Sequence, residues 1–343
     1  MNLVLIGFGS VGQGLVEILR DKADDLQTRY GFTPLVVGVA TRSRGTLYRP
    51  DGLNLDALLA AIQAGHLNAY PDTPGLERDW DALRLIRDSN ADVMVESTHT
   101  NLDTAQPALD YCRAALDSGR HVVMANKGPI TLAYEELTER ARVAGRLLRF
   151  EGTVMAGTPS LRLGIQALAG CTISQARGIL NGTTNYILTQ MEGGMTYADA
   201  LANAQALGYA EADPTADVDG WDAAAKALIV ARAIFNSPLT LKEMPVSGIR
   251  YVTPDDIQAA REAGERWKLI ARVTPTEASV QAMRIPANHP LASVSGATNA
   301  ITYTTDLLGD VTLVGAGAGK LPTGFALLSD LIEIYTHERM ELS

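Results

Sequence analysis

The chain opens with a short apolar run, Leu3 to Ile6, that ends in Gly7-Phe8-Gly9-Ser10-Val11-Gly12, three glycines spaced as G-x-G-x-x-G. Behind it, Val11, Leu15, Ile18, Leu19 and Leu26 fall on one side of a helix. A buried strand, a tight glycine turn and a helix, in that order, are the context the dinucleotide fingerprint requires, and they leave few folds open. Gly7 permits the turn, Gly9 lets the backbone approach a pyrophosphate, and Gly12 lets the helix pack closely. The free N–H groups at the helix start receive the phosphates. Phe8, Ser10 and Val11 travel on the same turn and join the three glycines as candidates for holding the cofactor.

The strand pattern then recurs. Residues 34–40, 91–97, 120–126 and 146–152 are apolar runs that alternate with helical stretches, including one over 105–119. Apolar strands separated by helices indicate a parallel sheet covered on both faces. The expected fold class is therefore α/β, with a Rossmann-type doubly wound sheet over residues 1–150. The end of the second strand normally carries an acid for the ribose hydroxyl of NAD. Here it reads Thr41-Arg42-Ser43-Arg44. Arg42, Ser43 and Arg44 suit the extra phosphate of NADP, although exposed loop arginines are common. Two other strand ends, 96–101 with Thr98 and 125–130 with Lys127, lie at the carboxyl edge where such folds bind ligands. Lys127 is expected in a tight polar turn before Pro129, close to the nicotinamide; the ordinary alternative is a solvated lysine.

Composition removes other classes of function. A net charge of −10 with no basic stripe argues against a nucleic-acid partner. No apolar run reaches the length of a membrane span, and the first residues lack the basic region of a signal peptide. Cys112 and Cys171 are too few and too far apart for a disulfide framework or a zinc site, so a reducing, cytoplasmic setting is expected.

In the second half, residues 151–161 are small and glycine-rich, as befits a connection between domains, and 175–191 read as a strand followed by a helix. Gly182 and Thr183, at that helix start, could receive a substrate carboxylate, or a threonine could simply cap the helix. A helix over 196–208 carries Thr196 and Asp199 in a capping box. Then five acids crowd into twelve residues: Glu211, Asp213, Asp217, Asp219 and Asp222. Pro214 and Gly220 make this a loop, with Asp219 as the expected cap of a helix over 221–235. Asp222 and Lys226 share a face of that helix, an ion pair worth about 0.2–0.5 kcal/mol on an isolated helix. So small an energy does not account for five acids beside one lysine. A cationic ligand group would account for some of them, with Lys226 aimed at an oxygen-bearing part of the same ligand. The order of the acids does not match an EF-hand.

The segments NGTTNYIL, GYAEADPTADVDGWDAAAK, ANKGPI and the tail from His289 to Ile332 together resemble homoserine dehydrogenase, over nearly the whole chain. The resemblance implies NAD(P)H-dependent interconversion of L-aspartate 4-semialdehyde and L-homoserine, on the way to threonine, methionine and isoleucine. It implies an α+β catalytic and dimerisation domain over 151–322, a last helix over 323–343 completing the first domain, and a homodimer. Glu211 and Asp217 would hold the substrate amino group, with Tyr209, Gly182 and Thr183 positioning the amino-acid end. Lys226 would protonate the carbonyl oxygen, oriented by Asp222, with Lys127 as a second lysine, and Gly317 would approach the cofactor. Glu151 with the carbonyls of Val154, Ala156 and Thr158 would surround a structural Na+. Asp213 and Asp219 stay structural, and the threonine-responsive domain that many relatives append is not expected. Two other functions compete: an aspartate-semialdehyde dehydrogenase, which needs a reactive cysteine that neither Cys112 nor Cys171 resembles, and a nucleotide-binding protein without chemistry.

Overall fold

The computed structural model describes residues 1–341, so the last two positions of the expected final helix lie outside the described residues. The chain divides into two compact units: residues 1–157 with the segment from Gly319 onward, and Thr158–Ala318.

The first unit is a six-stranded sheet. Its strands are β1 (Asn2–Ile6), β2 (Leu35–Ala40), β3 (Thr46–Tyr48), β4 (Val93–Glu96), β5 (His121–Met124) and β6 (Leu148–Arg149), in the order β3-β2-β1-β4-β5-β6. Every neighbouring pair is parallel except β2–β3, a short antiparallel edge that the apolar pattern did not signal. β1 is flanked by β2 and β4, so the chain reverses direction across the sheet beside it, and sheets of this kind bind ligands at the carboxyl end of that strand. Two expectations change here. The strand over 146–152 shrinks to β6 and a turn of 3-10 helix at Glu151–Thr153, and Lys127 begins the helix Lys127–Ala144 instead of sitting in a turn. Asn126 accounts for the second difference, because its side chain accepts from Gly128 N and caps that helix.

The last helix, Lys320–Glu341, returns to the first unit and crosses the helix Ser10–Asp21. A Cβ on Gly14 would stand 2.3 Å from Lys320 O, and one on Gly324 would stand 2.6 Å from Gly14 C, so backbone meets backbone at the crossing. Its buried face is Leu327, Leu328, Leu331 and Ile334, whereas Phe325 is 49% exposed.

The second unit is built on β7 (Ile173–Ile179), β8 (Val246–Ser247), β9 (Glu265–Val273), β10 (Ala278–Pro286), β11 (Thr298–Thr305) and β12 (Gly309–Ala316), in the order β12-β11-β7-β9-β10-β8. All pairs are antiparallel except the β10–β8 edge. The helix Gly182–Glu192 is pinned to this sheet by a buried lysine. Lys268 of β9 donates to Asn185 Oδ1 (3.1 Å) and Val294 O (2.7 Å), and burial lowers its pKa. Asn185 Nδ2 in turn serves the carbonyls of Val294, Gly296 and Thr298. The helix Trp221–Phe235 packs on β9 and β10, with Ala223–Arg232 buried along its length.

Candidate active site

In the first unit the glycine turn has the geometry its sequence requires. Gly7 sits at φ +93°, and a Cβ there would stand 2.6 Å from Ser97 C and 2.7 Å from Thr98 N. A Cβ on Gly12 would stand 2.8 Å from Gly7 O, whereas one on Gly9 would meet nothing within 4 Å. The turn is therefore tight beneath and open above. The helix Ser10–Asp21 that follows has no side-chain cap and no acid in its first turn, which leaves its leading N–H groups for an anion. These residues fit a dinucleotide pyrophosphate.

Beside it lies the turn after β4. Ser97 Oγ donates to Gly7 O at 3.0 Å. Thr98 donates its N–H (3.0 Å) and its hydroxyl to Glu96 Oε1, and Asn126 Nδ2 donates to Thr98 O (3.3 Å) and His99 O (3.3 Å). Glu96 is fully buried, and that burial pushes its carboxyl up to about 7 against the opposing hydrogen bonds. Arg42, Ser43 and Arg44 are exposed in the β2–β3 turn, which is closed by Thr41 accepting from Arg44 N at 2.8 Å. Neither guanidinium has an ion-pair partner among the described residues.

In the second unit, two of the five acids converge. Asn181 caps the helix Gly182–Glu192, its Oδ1 accepting from Thr184 N at 2.8 Å. That leaves its Nδ2 to donate to Asp217 Oδ1 (2.7 Å) and Asp222 Oδ2 (2.9 Å). Lys226 Nζ stands 2.7 Å from Asp222 Oδ2 and donates to Leu180 O at 2.8 Å, with the residue only 8% exposed. Burial, and then the Asp222 charge, raise the Asp217 carboxyl above the usual carboxylate range. Thr183 Oγ1 donates to Tyr209 O at 2.6 Å, tying the helix start to the loop that carries the acids.

The chain matches the family model for homoserine dehydrogenase over residues 159–332 and that for the homoserine dehydrogenase NAD-binding domain over residues 7–151. The NAD(+)-dependent homoserine dehydrogenase of Pseudomonas canavaninivorans is 44% identical over 97% of this chain and 96% of its own. The chain belongs to the homoserine dehydrogenase family. A solved homoserine dehydrogenase from Thiobacillus denitrificans superposes with a TM-score of 0.83 at 33% identity, covering 97% of this chain and 73% of that one. A hyperthermophilic archaeal homoserine dehydrogenase in complex with NADPH gives 0.83 at 29% identity and 98% of both chains. Homoserine dehydrogenases are NAD(P)-dependent oxidoreductases acting on a CH–OH group, and this is the enzyme class of the chain.

Within that homoserine dehydrogenase framework several sequence expectations change. Of the five acids, Asp213 and Asp219 make structural contacts, though Asp219 not the one expected. Asp213 accepts from Thr215 N at 3.1 Å, in the turn just before the short helix Thr215–Val218. Asp219 is not the cap of the lysine-bearing helix: Gly220 takes that place in the left-handed region, and Asp219 pairs with Arg250. Glu211 is exposed, and its contact with Gln205 runs through its backbone carbonyl. The cap of the helix at Gly182 is Asn181, not a threonine. Asn181 is the residue the sequence reading missed, although an asparagine between a strand and a helix is itself a cap signal.

Gly317 has a reason to be glycine apart from any ligand, since a Cβ there would stand 2.1 Å from the side-chain amide of Asn299. Of the expected cation ligands, Glu151, Val154 and Ala156 are buried in the first unit, and Ala156 holds φ +48° without being glycine. Thr158 belongs to the second unit and donates to Ala316 O at 2.9 Å. Backbone oxygens suit a hard cation. No cluster of three acidic, histidine or cysteine side chains fit for a metal occurs among the described residues.

Proposed function

We propose that this chain catalyses the reversible reduction of L-aspartate 4-semialdehyde to L-homoserine with NADPH as the preferred coenzyme. The observation that carries the reading is the group of half-buried Asp217 and Asp222 and buried Lys226, joined by Asn181. An amino-acid aldehyde needs both halves of it, a carboxylate for its ammonium and a proton donor for its carbonyl oxygen.

The nicotinamide, when bound at the Gly7–Gly12 turn, supplies the hydride. Two of the three hydrogens on Lys226 Nζ are directed at Asp222 and Leu180 O, and the third has no partner among the described residues. That hydrogen is the one to be delivered to the carbonyl oxygen as it gains charge. Asp222 holds the ammonium in place and is held in turn by Asn181, so the donor is oriented before substrate arrives. Asp217 and Glu211 take the substrate ammonium, and Gly182, Thr183 and Tyr209 position the amino-acid end. Lys127 is proposed as the second lysine of the reaction.

Arg42 and Arg44 support the NADPH preference, as unpaired cations at the end of β2. A charge-assisted contact to a ribose phosphate is worth about 1.5–3 kcal/mol, so turnover of the semialdehyde should favour NADPH over NADH by about tenfold or more. Arg42→Ala with Arg44→Ala should erase that preference. A wild-type enzyme that prefers NADH would favour the alternative that the relative from P. canavaninivorans raises, described as NAD(+)-dependent. No turnover with either coenzyme would defeat the reaction itself.

The raised Asp217 carboxyl has a consequence for pH. Only its ionised form attracts an ammonium, and a raised pKa means that form is lost earlier as pH falls. The KM for the semialdehyde should therefore climb on acidification from neutrality, before ordinary carboxylates titrate. Asp217→Asn should show a high KM that no longer climbs there. A wild-type KM that stays flat into the ordinary carboxylate range would remove Asp217 from substrate binding.

A further inference from the structure

The carboxyl of Glu96 is used by neither half of the reaction, yet it lies under the cofactor site. It is fully buried at the end of β4, and one oxygen, Oε1, takes both donors of Thr98. The other oxygen, Oε2, is buried with no partner among the described residues. Thr98 N is also one of the atoms on which Gly7 packs, and Ser97 ties the same turn to Gly7 O. Whatever fixes Thr98 therefore fixes the floor of the glycine turn.

We propose that Glu96 is a positioning residue for the dinucleotide, and that its ionised form holds the Thr98 turn in the shape that binds coenzyme while its protonated form releases it. The inference rests on the coenzyme reading above. A carboxylate accepts the Thr98 N–H and O–H through charge-assisted bonds, about twice as strong as those to a neutral acceptor. A protonated carboxyl carries its hydrogen on Oε2, where no acceptor faces it. Satisfying that hydrogen means turning the carboxyl, which takes Oε1 away from Thr98.

The polar groups that face Glu96 are Thr98, Asn126, and Tyr111 and Cys112 of the helix Ala108–Asp117. Tyr111 and Cys112 both have raised pKa values, through burial first and the Glu96 charge second, so they stay neutral around pH 7. Burial places the Glu96 transition at about 7, inside the working range.

The test is direct titration of NADPH binding by nucleotide fluorescence, with no turnover required. For wild type, affinity should fall about three- to tenfold between about pH 8 and about pH 6. Glu96→Gln, which keeps the shape and removes the titration, should bind more weakly at the alkaline end and show no such slope. Thr98→Val removes the hydroxyl donor but keeps the backbone N–H bond to Oε1, so it should flatten the slope, and it serves if the glutamine variant does not fold. A flat wild-type profile would overturn the proposal, as would a slope that persists in Glu96→Gln or one that is undiminished in Thr98→Val. Failure of wild type to bind NADPH or NADH at any pH would overturn the coenzyme reading and this inference together.

Discussion

Lys226→Ala should lower kcat for semialdehyde reduction by about a hundred- to ten-thousand-fold while NADPH binds with unchanged affinity. The expectation follows from how the ammonium is held. Asp222 lies one helical turn before Lys226 on Trp221–Phe235, and Leu180 O meets Nζ from the end of the neighbouring strand. A side chain fixed at two points and buried loses little entropy on reaction, so its remaining hydrogen is placed before the carbonyl oxygen gains charge. Alanine removes the donor but leaves Asp222 bonded to Asn181, so the carboxylate keeps a partner and the fold should survive. Lys226→Arg should not rescue activity, because a planar guanidinium cannot occupy the position of a compact ammonium between Asp222 and Leu180 O. A loss confined to KM would make Lys226 a binding group. Equal activity in wild type and variant would remove it from the chemistry.

The parts of this site that sequence made legible are those whose spacing is local. Asp222 and Lys226 are four residues apart on one helix, and the glycine turn follows its strand directly, so each pair of neighbours was fixed by a short-range rule. Asn181 was missed because its work is non-local: it reaches acids 36 and 41 residues away. Asp219 was misassigned for the complementary reason. An acid before a helix is a good cap, but Arg250, distant in sequence, claims it, and Gly220 supplies the turn. Glu96 looked like an ordinary polar residue at a strand end, and nothing in the residues around it signals that it is fully buried. The antiparallel edge β3 was hidden because three residues are too few to show an alternation.

Arg120 shows the same limit at the amino ends of the first sheet's strands, and it carries the largest expected effect on stability. The sequence reading took it as the first residue of a strand; the structure turns it inward just before β5, 8% exposed. Its guanidinium donates to Ile86 O, Arg87 O (2.9 Å), Ser89 O (2.6 Å) and Ala91 O. Two of these carbonyls end the helix Ala82–Asp88, so the cation also lies at the negative end of that helix. Arg120→Ala would leave all four without their donor, a loss of about 3 kcal/mol, which for a unit of this size is a fall of roughly 6–12 °C in Tm. Arg120→Lys should recover only part, since an ammonium has three donors and no fork. The proposed coenzyme site is at the carboxyl ends of the strands and Arg120 sits at their amino ends, so well below Tm the NADPH dissociation constant should not move. A Tm shift under about 2 °C would mean that water replaces the guanidinium at little cost. A weakened NADPH affinity in the folded variant would mean that the two edges of the sheet are coupled, and that the loss acts on function as well as on folding.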